Sequence, residues 1–401
     1  MSKLSIIVLV VLFLPYLFIY PTIFNNYTLH NQNVLIEYHQ YGLRKYDTNS
    51  KLSLIRNLSM LNEDCAMISN IDKRYIEDFI FEHRPIVILG KDEVDFPVTI
   101  EYIIENSTLR SKDNRDLGTS KGSLSSNIKN LKEVVRDIVI DKFEISTEGK
   151  DEIQLKNEID AIENELLYFD IDSEYKHGNI NLDDISSIND YVISGEDVYS
   201  YSYSDVYSYI QVFKDTAKLI NKDVPFYVNW YITDDCMLTV HYMFLYGNNT
   251  KQYMGQGSHK GDLESISSFY SIVNDNFVLN CIYYSAHSGN GKIYYKNTND
   301  IIHKDGFVLK DDKRPYVFSA KHSHASYPGI CTYSSTISDY TKHNKYVWDP
   351  DNIIFIDKDT SWSDFRGNFG DKNGPRRPAN QKWWHNTKDT ITKSTKNDNL
   401  F

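Results

Sequence analysis

The chain has 401 residues and a formal net charge of −12 at neutral pH. This acidic balance argues against a nucleic-acid-binding protein, which needs a basic surface to meet phosphates, and the length suffices for one large domain or two smaller ones. Aromatic residues make up 14% of the chain, with 31 tyrosines. Because tyrosine favours half-buried strands, this composition favours a β-rich fold.

The N-terminal segment is apolar from Leu4 to Tyr20. An uncleaved signal anchor is predicted over residues 1–24, because the sequence after Leu14 lacks the small residues that a cleavage site needs. Since Lys3 lies on the short side, we expect that end in the cytosol and the bulk of a single-pass protein in the lumen of the endomembrane system. A cleaved signal and a secreted product are the alternative.

The next segments have few regular patterns. Residues 25–80 are predicted to form a stem or N-terminal extension, followed by a strand at Pro85–Leu89 and an exposed loop at 110–126. Apolar residues at 4-3-4-3 spacing then predict an amphipathic helix that packs on a sheet, with a partner-binding helix as the alternative. These residues are Leu155, Ile159, Ile162, Leu166 and Phe169. The tyrosine-rich stretch 199–209 fits an edge strand or a mobile loop.

The second half of the chain carries the clearest strand patterns. Two alternating stretches, Phe226–Ile232 and Leu238–Tyr246, flank a short acidic turn and predict an antiparallel hairpin. Phe277–Tyr284 and Tyr316–Ala320 predict further strands. We therefore predict a mainly β fold, an antiparallel β-sandwich with peripheral helices, preceded by the membrane anchor. Residues 386–401 are predicted to be a disordered tail.

The cysteines and glycosylation sequons constrain the chain only weakly. Four cysteines lack any C-x-x-C spacing, which excludes zinc-finger and thioredoxin sites but leaves both disulfides and buried thiols open. Asn-x-Ser/Thr sequons permit glycosylation in a lumenal protein. They occur at Asn26, Asn57, Asn106 and Asn248.

Residues 257–264 read Gly-Ser-His-Lys-Gly-Asp-Leu-Glu and predict a metal site. Period-two geometry puts Asp262 and Glu264 on one face of a strand, and a bulge at Gly261 lets His259 join them. With His287 from the later Ser-Ala-His-Ser-Gly stretch, they form a mixed nitrogen and oxygen set that suits a divalent cation or a carbohydrate-like ligand. We expect Ca²⁺ or Mg²⁺ before Zn²⁺. A solvated loop near a turn is the alternative.

A second polar group follows the last predicted strand. In an extended segment His322 and His324 fall on one face, and Pro328 ends the strand because it cannot donate to a ladder. We predict ligand-binding roles for His324, His322 and Tyr327. The His324 ring is expected within about 12 Å, the span of a small ligand pocket, of the Asp262 carboxylate. The alternative is that both histidines lie in a surface loop.

Five blocks stand out between residues 81 and 385. They are Arg84–Leu89 with Glu93 and Phe96-Pro97; Gly257–Glu264; Ser285–Gly289; Arg314–Ala320 leading into His322–Pro328; and Phe365–Gly370 with Gly374-Pro375, Pro378 and Trp383-Trp384. On these blocks the chain resembles the vacuolar protein sorting-associated protein 62 family of fungi and plants. Residues from about 105 to 220 carry little of the resemblance and are predicted to be a divergent insertion. The family usually has Trp at the position of Leu263, so the packing beside the two carboxylates differs.

The resemblance implies a role in protein delivery to the vacuole. We therefore expect a membrane-anchored lumenal protein that acts in vacuolar targeting through a polar, cation-holding site. Its expected partners are the membrane and a glycan, a glycolipid or a cargo protein, and not nucleic acid.

Two other functions stay open. One is a metal-assisted hydrolase with Glu264 or Asp262 as general base and His324 as acid. The sequence contains no nucleophile motif and no phosphate-binding glycine loop, so this enzyme is less favoured. The other is a secreted, membrane-active glycolipid-binding protein, because the His-x-x-Asp-x-Glu spacing is similar to that of necrosis-inducing toxin-like proteins. Those proteins supply a further upstream Asp, and residues 249–258 contain no acid.

Overall fold

The computed structural model covers the β-rich part of the chain. It describes residues 72–182, 218–233, 237–250, 258–273, 276–286, 292–295, 309–310, 313–329, 332–333, 339–341, 344–357 and 360–376. The predicted anchor (1–24), most of the predicted stem, the tyrosine-rich stretch, His287 and the predicted tail lie outside these residues. Within the described part, no helix is long and apolar enough to cross a membrane.

Within the described residues, four α-helices pack beside the sheets. They are α1 (Lys73–Glu82), α2 (Ile100–Glu105), α3 (Leu131–Lys142) and α4 (Glu152–Leu166), with short 3₁₀ segments at Ser125–Asn130 and Ser361–Asp364. The helix predicted from the 4-3-4-3 pattern is confirmed as α4. Its N-terminus has a capping box, in which the Asp151 side chain accepts from the Gln154 N–H and the Gln154 side chain accepts from the Asp151 N–H. Leu155 and Ile159 are buried on the inner face of the helix, whereas Phe169 already belongs to the following strand.

The described part of the chain contains seventeen strands. They are β1 (Ile86–Gly90), β2 (Ser107–Ser111), β3 (Leu167–Ile171), β4 (Lys218–Ile220), β5 (Phe226–Ile232), β6 (Met237–Asn249), β7 (His259–Val273), β8 (Asn276–Tyr284), β9 (Lys292–Tyr295), β10 (Leu309–Lys310), β11 (Arg314–Ser319), β12 (Ser326–Tyr327), β13 (Thr332–Tyr333), β14 (Asp339–Tyr340), β15 (Asn344–Trp348), β16 (Ile353–Phe355) and β17 (Asn368–Gly370). The predicted hairpin is confirmed as β5 and β6, which pair antiparallel with Val228 opposite Tyr242. The strands predicted at Pro85–Leu89, Phe277–Tyr284 and Tyr316–Ala320 are observed as β1, β8 and β11.

These described strands form three larger sheets and one two-stranded pair. The first sheet has the order β10-β11-β1-β15-β4, with β12 attached to β11; the second has the order β16-β5-β6-β7-β8-β9; the third is β17-β3-β2; and β13 pairs with β14. All three larger sheets are mixed. The parallel neighbours are β1 with β11, β4 with β15, β5 with β16, and β3 with β17.

The prediction of a mainly β fold is confirmed, but its antiparallel sandwich is not observed as such because of these parallel pairs. Antiparallel neighbours can be joined by a short turn, whereas parallel neighbours need a long crossover connection. The parallel pairs here join strands that are far apart in sequence, such as Ile86 on β1 with Tyr316 on β11. Local alternation predicts that a strand exists but carries no information about such a distant neighbour.

The second sheet is covered on both faces. Tyr242, Phe244 and Tyr246 of β6 pack into a core shared with the first sheet. Met243 and Leu245, which point the other way, pack into a second core with helices α2–α4 and the third sheet. The middle of β6 and β7 is therefore buried on both sides, and any polar side chain there needs a partner.

Two Arg-Pro pairs fix the start of neighbouring strands. Arg84 precedes β1 and Arg314 opens β11, and both guanidinium groups bind the Asp349 carboxylate at the end of β15, at 3.1 Å and 3.0 Å respectively. Asp349 is 3% exposed. A buried carboxylate held by two arginines locks the three central strands of the first sheet at one end, and thereby sets where the loop after β1 emerges.

Candidate functional site: a buried acid–histidine cluster

A buried group of acids and histidines lies where the loop after β1, the paired strands β6 and β7, and the turn between β11 and β12 meet. We call it the acid–histidine cluster. Its members are Glu93, Asp95, Asp262, His322 and His324. All except His322 are at most 5% exposed. Burying so many ionisable groups is costly unless they are paired, and such arrangements concentrate at functional sites.

His324 is at the centre of the cluster. Its Nδ1 lies 2.9 Å from Asp262 Oδ2 and its Nε2 lies 3.7 Å from Glu93 Oε1. The ring stacks on Tyr246 with the centroids 3.9 Å apart. Burial disfavours the charged imidazole, but the hydrogen bond to Asp262 and the charge of Glu93 outweigh it and raise the pKa of His324 to about 10. Nε2 is buried and has no hydrogen-bond partner among the described residues.

Glu93 is held by backbone N–H groups from two segments. Val94 and Asp95 donate to Oε1 at 3.0 and 3.1 Å, and the His322 N–H donates to Oε2 at 3.0 Å. Burial alone would raise the pKa of Glu93, but His324 and these donors outweigh it and lower the pKa to about 2. Glu93 is therefore anionic at neutral pH and ties the loop after β1 to the β11–β12 turn.

Asp95 is fully buried and has three side-chain neighbours. His177 Nδ1 lies 2.6 Å from its Oδ1, Asn248 donates to the same oxygen at 3.3 Å, and Thr250 donates to Oδ2 at 2.9 Å. The His177 side chain is 43% exposed, so the cluster reaches solvent on this side. Asn248 belongs to a sequon, yet it is 3% exposed, so this sequon faces inward in the folded chain.

The β11–β12 turn orients both histidines toward Glu93. His322 has a φ of 67° and His324 a φ of 53°, which is the left-handed region that side-chain-bearing residues rarely adopt. Hydrogen bonds between Ala320 and Ala325 and from the His324 N–H to the Ala320 carbonyl, both 2.9 Å, close the turn. The predicted extended segment with both histidines on one face is therefore wrong. Because β11 and β12 pair directly on either side, the intervening residues must form a tight turn.

The expected proximity of His324 to Asp262 is observed as a direct hydrogen bond. Tyr327 lies in the network behind the turn, 7% exposed. Its hydroxyl donates to Asp339 Oδ2 at 2.6 Å, and Ser323 donates to Asp339 Oδ1 at 2.9 Å. In this position Tyr327 supports the turn that carries the two histidines.

Asp262 and Glu264 share one face of β7, as their spacing predicts. They lie opposite Tyr246 and Phe244 of β6, on the side of the core shared with the first sheet. Glu264 Oε2 accepts a hydrogen bond from Ser285 at 2.7 Å. Burial, followed by the charge of Asp262, raises the pKa of Glu264 well above its usual range. Because its anionic form is disfavoured in this way, Glu264 is a poorer cation ligand than an ordinary glutamate.

His259 is not joined to the two carboxylates by the predicted bulge. The described β6–β7 pair keeps one register on both sides of Gly261, so no residue is inserted there. Gly261 nevertheless has a left-handed φ of 71°, and His259 Nδ1 lies 2.7 Å from its carbonyl oxygen. The imidazole that contacts Asp262 belongs to His324, and His287 lies outside the described residues.

Glu93 and Asp95 are the cluster members to which the sequence assigned no ligand role. Their local signal is a Glu-x-Asp pattern directly after the buried strand β1, the position where loops on a rigid strand build sites. Their partners are distant in sequence: His322 follows Glu93 by 229 positions and Thr250 follows Asp95 by 155. No local pattern predicts such pairings.

Three of these residues offer ligand atoms within reach of one ion. Glu93, Asp95 and His322 each contribute an atom that lies within 4.8 Å of the other two. Burial lowers the pKa of His322, which favours the neutral imidazole that can ligate a metal. This set of two carboxylates and one imidazole can hold a divalent cation.

The chain matches no protein-family model, no curated protein and no solved structure. Its function must therefore be inferred from its own residues. Four of the five blocks that stand out in the sequence meet at the cluster or beside it, through Glu93, Asp262, Ser285 and His324.

Proposed function

We propose that this chain is a binding protein in which the acid–histidine cluster holds a divalent cation. The observation that carries the proposal is the excess of buried carboxyl groups. Glu93 and Asp262 both lie against the buried His324 ring, and the buried Asp95 lies two residues from Glu93 with His177 as its imidazole partner. Closely packed carboxylates resist ionisation unless a cation compensates them, and a bound metal is the strongest such charge.

The burial of His324 favours binding over catalysis. A general acid must come within hydrogen-bond reach of its substrate, and the His324 side chain is 0% exposed. The partly exposed His322 and His177 form the rim of the cluster. A polar ligand would therefore meet the rim and the ion, while His324 and Asp262 stay behind them.

We further propose the cellular role implied by the family resemblance, protein targeting to the vacuole from the lumenal side of a membrane. Residues 1–24 would be the anchor, and a glycan, a glycolipid or a cargo protein the ligand. The meeting of four family-like blocks at one cluster supports this role, because residues far apart in sequence are then explained by one site.

Metal analysis of the full-length protein tests the cation. We expect the purified protein to contain one divalent ion per chain and to melt at a lower temperature after chelator treatment at neutral pH, because an ion that binds only the folded state stabilises it by mass action. Asp262→Ala, which frees the His324 ring, should lower the metal content. Asp351→Ala, at an exposed acid, is the control. The proposal is wrong if the purified protein contains no metal and its melting temperature does not change with the chelator.

A further inference from the structure

We infer that the ion is a first-row transition ion of the zinc type, ligated by Glu93, Asp95 and His322 with His324 Nε2 as the fourth donor, from which the ion displaces a proton on binding. This inference rests on the proposed function and assigns its ligands, which differ from the set His259, Asp262, Glu264 and His287 expected from the sequence.

The three outer ligands lie near enough to one another to close on one ion. In a tetrahedral zinc site with bonds of about 2.1 Å, two ligand atoms lie about 3.4 Å apart. The three ligand atoms of Glu93, Asp95 and His322 are already within 4.8 Å of one another, and His322 Nδ1 is 3.9 Å from Glu93 Oε1. Binding of the ion therefore requires these ligand atoms to approach one another by up to about 1.4 Å.

His324 supplies an independent observation that points to a ligand. It is fully buried, and its Nε2 has no hydrogen-bond partner among the described residues, although it lies 3.7 Å from the same Glu93 oxygen. A buried polar atom without a partner is unfavourable, and native structures rarely keep one without a role. His322 Nδ1 is likewise buried and unpartnered within the described chain. Two unpartnered nitrogens thus lie within 4 Å of one anionic oxygen.

Asp262 completes an arrangement typical of zinc proteins. A metal-ligating histidine usually donates its other ring N–H to a carboxylate, which fixes the orientation of the ring. Asp262 Oδ2 accepts from His324 Nδ1 at 2.9 Å, so Nε2 is held facing Glu93. The stacked Tyr246 ring adds a second restraint. Asp262 is therefore a positioning residue and not a ligand.

The donor types decide between ions. Calcium and magnesium prefer sets made only of oxygen donors, with more ligands for calcium. Imidazole nitrogens favour zinc and its neighbours, and this set contains two of them. The ion can enter from the side of His322, whose side chain is 33% exposed.

Calorimetric titration of the chelator-stripped full-length protein with ZnCl₂ and with CaCl₂ tests the assignment. The key variant is His322→Gly, because glycine accepts the φ of 67° without strain. We expect zinc affinity to fall by more than about 100-fold, beyond the loss typical of a supporting residue. The metal-free melting temperature should stay the same or rise, which separates lost ligation from lost folding. His259→Ala and Glu264→Gln, the matched controls from the sequence-derived set, should bind zinc as the parent does.

Each failure has a distinct reading. Zinc binding that survives His322→Gly but is lost in His259→Ala or Glu264→Gln would overturn the ligand assignment and leave the proposed cation site in place. Calcium binding tighter than zinc binding would overturn the ion type alone. A protein that binds neither ion would remove both this inference and the proposed function.

Discussion

At the scale of single residues, Glu264 shows how burial couples to pH. In the unfolded chain a glutamate has a pKa of about 4.3, whereas burial and the Asp262 charge raise the pKa of Glu264 well above that in the folded state. The folded state therefore keeps a proton that the unfolded state releases. Stability linked to this group is fully present below about pH 4 and is lost as the pH rises toward the folded-state pKa.

Glu264→Gln should consequently stabilise the protein more as the pH rises. Glutamine stays neutral and keeps an oxygen that can accept from Ser285. We expect little difference from the parent at pH 4 and a gain that grows by up to about 1.4 kcal/mol per pH unit above it, the slope for one proton. Urea unfolding at several pH values measures this. Glu133→Gln, at an exposed position of α3, should show no such slope; equal slopes for both variants would contradict the assignment.

Some residues of the cluster could be predicted from the sequence, but the contacts between them could not. Period two places Asp262 and Glu264 on one face, and the position of His324 after a strand indicates a nearby site. Three contacts escape any local pattern: Glu93 to His324, Asp95 to Thr250, and Asp262 to His324 in place of His259. Each depends on which strands become neighbours in the first and second sheets.

At the scale of elements, a close approach between β17 and the start of β7 explains the glycines at positions 261 and 370. Gly261 and Gly370 have φ values of 71° and 98°, and each lies against the backbone of the other strand. A Cβ on Gly261 would lie 2.7 Å from the Phe369 carbonyl oxygen. A Cβ on Gly370 would overlap the Lys260 carbonyl group. Glycines at these two positions let the third sheet close over β7.

Gly370→Ala should therefore destabilise the protein strongly. The new methyl group meets backbone that cannot move without separating β17 from β7, so we expect a loss of about 3 kcal/mol or more in the free energy of unfolding. Gly149→Ala is the matched control, because its φ is 76° but nothing lies within 4 Å of the new Cβ. That variant should lose about 1 kcal/mol, the cost of the left-handed backbone alone. Equal losses in chemical denaturation would refute the close approach.

The elements that could be predicted are those with strong local periodicity. The β5–β6 hairpin needs only alternation and a turn, and α4 needs only an apolar stripe with a cap. The β11–β12 turn was predicted as extended because its two left-handed residues are histidines, whereas glycine or asparagine would have signalled a turn. Tertiary contacts, including the hydrogen bond from the His322 N–H to Glu93, hold that turn in place.

At the scale of the whole molecule, the order of strands in the sheets is the least predictable feature. β1 lies between β11 and β15, and β16 joins the edge of the second sheet beside β5. The strands contribute side chains to two hydrophobic cores, one between the six-stranded sheets and one beneath the helices. Their order therefore depends on packing in both cores. The acid–histidine cluster depends on that order, since it needs the loop after β1, strand β7 and the turn after β11 to be in contact.

Membrane attachment also concerns the whole molecule. The proposed role needs an N-terminal anchor that places the cation site in the lumen. The run Leu4–Tyr20 is apolar and follows Lys3, so the chain should remain in carbonate-washed membranes with its C-terminus protected from protease in intact vesicles. Leu9→Arg with Leu12→Arg should release it, since each arginine near the centre of a span costs about 3 kcal/mol. Leu9→Ile with Leu12→Ile keeps the apolar run and should stay bound. A soluble parent chain trimmed at its N-terminus would instead identify a cleaved signal and place the cation site in a secreted protein.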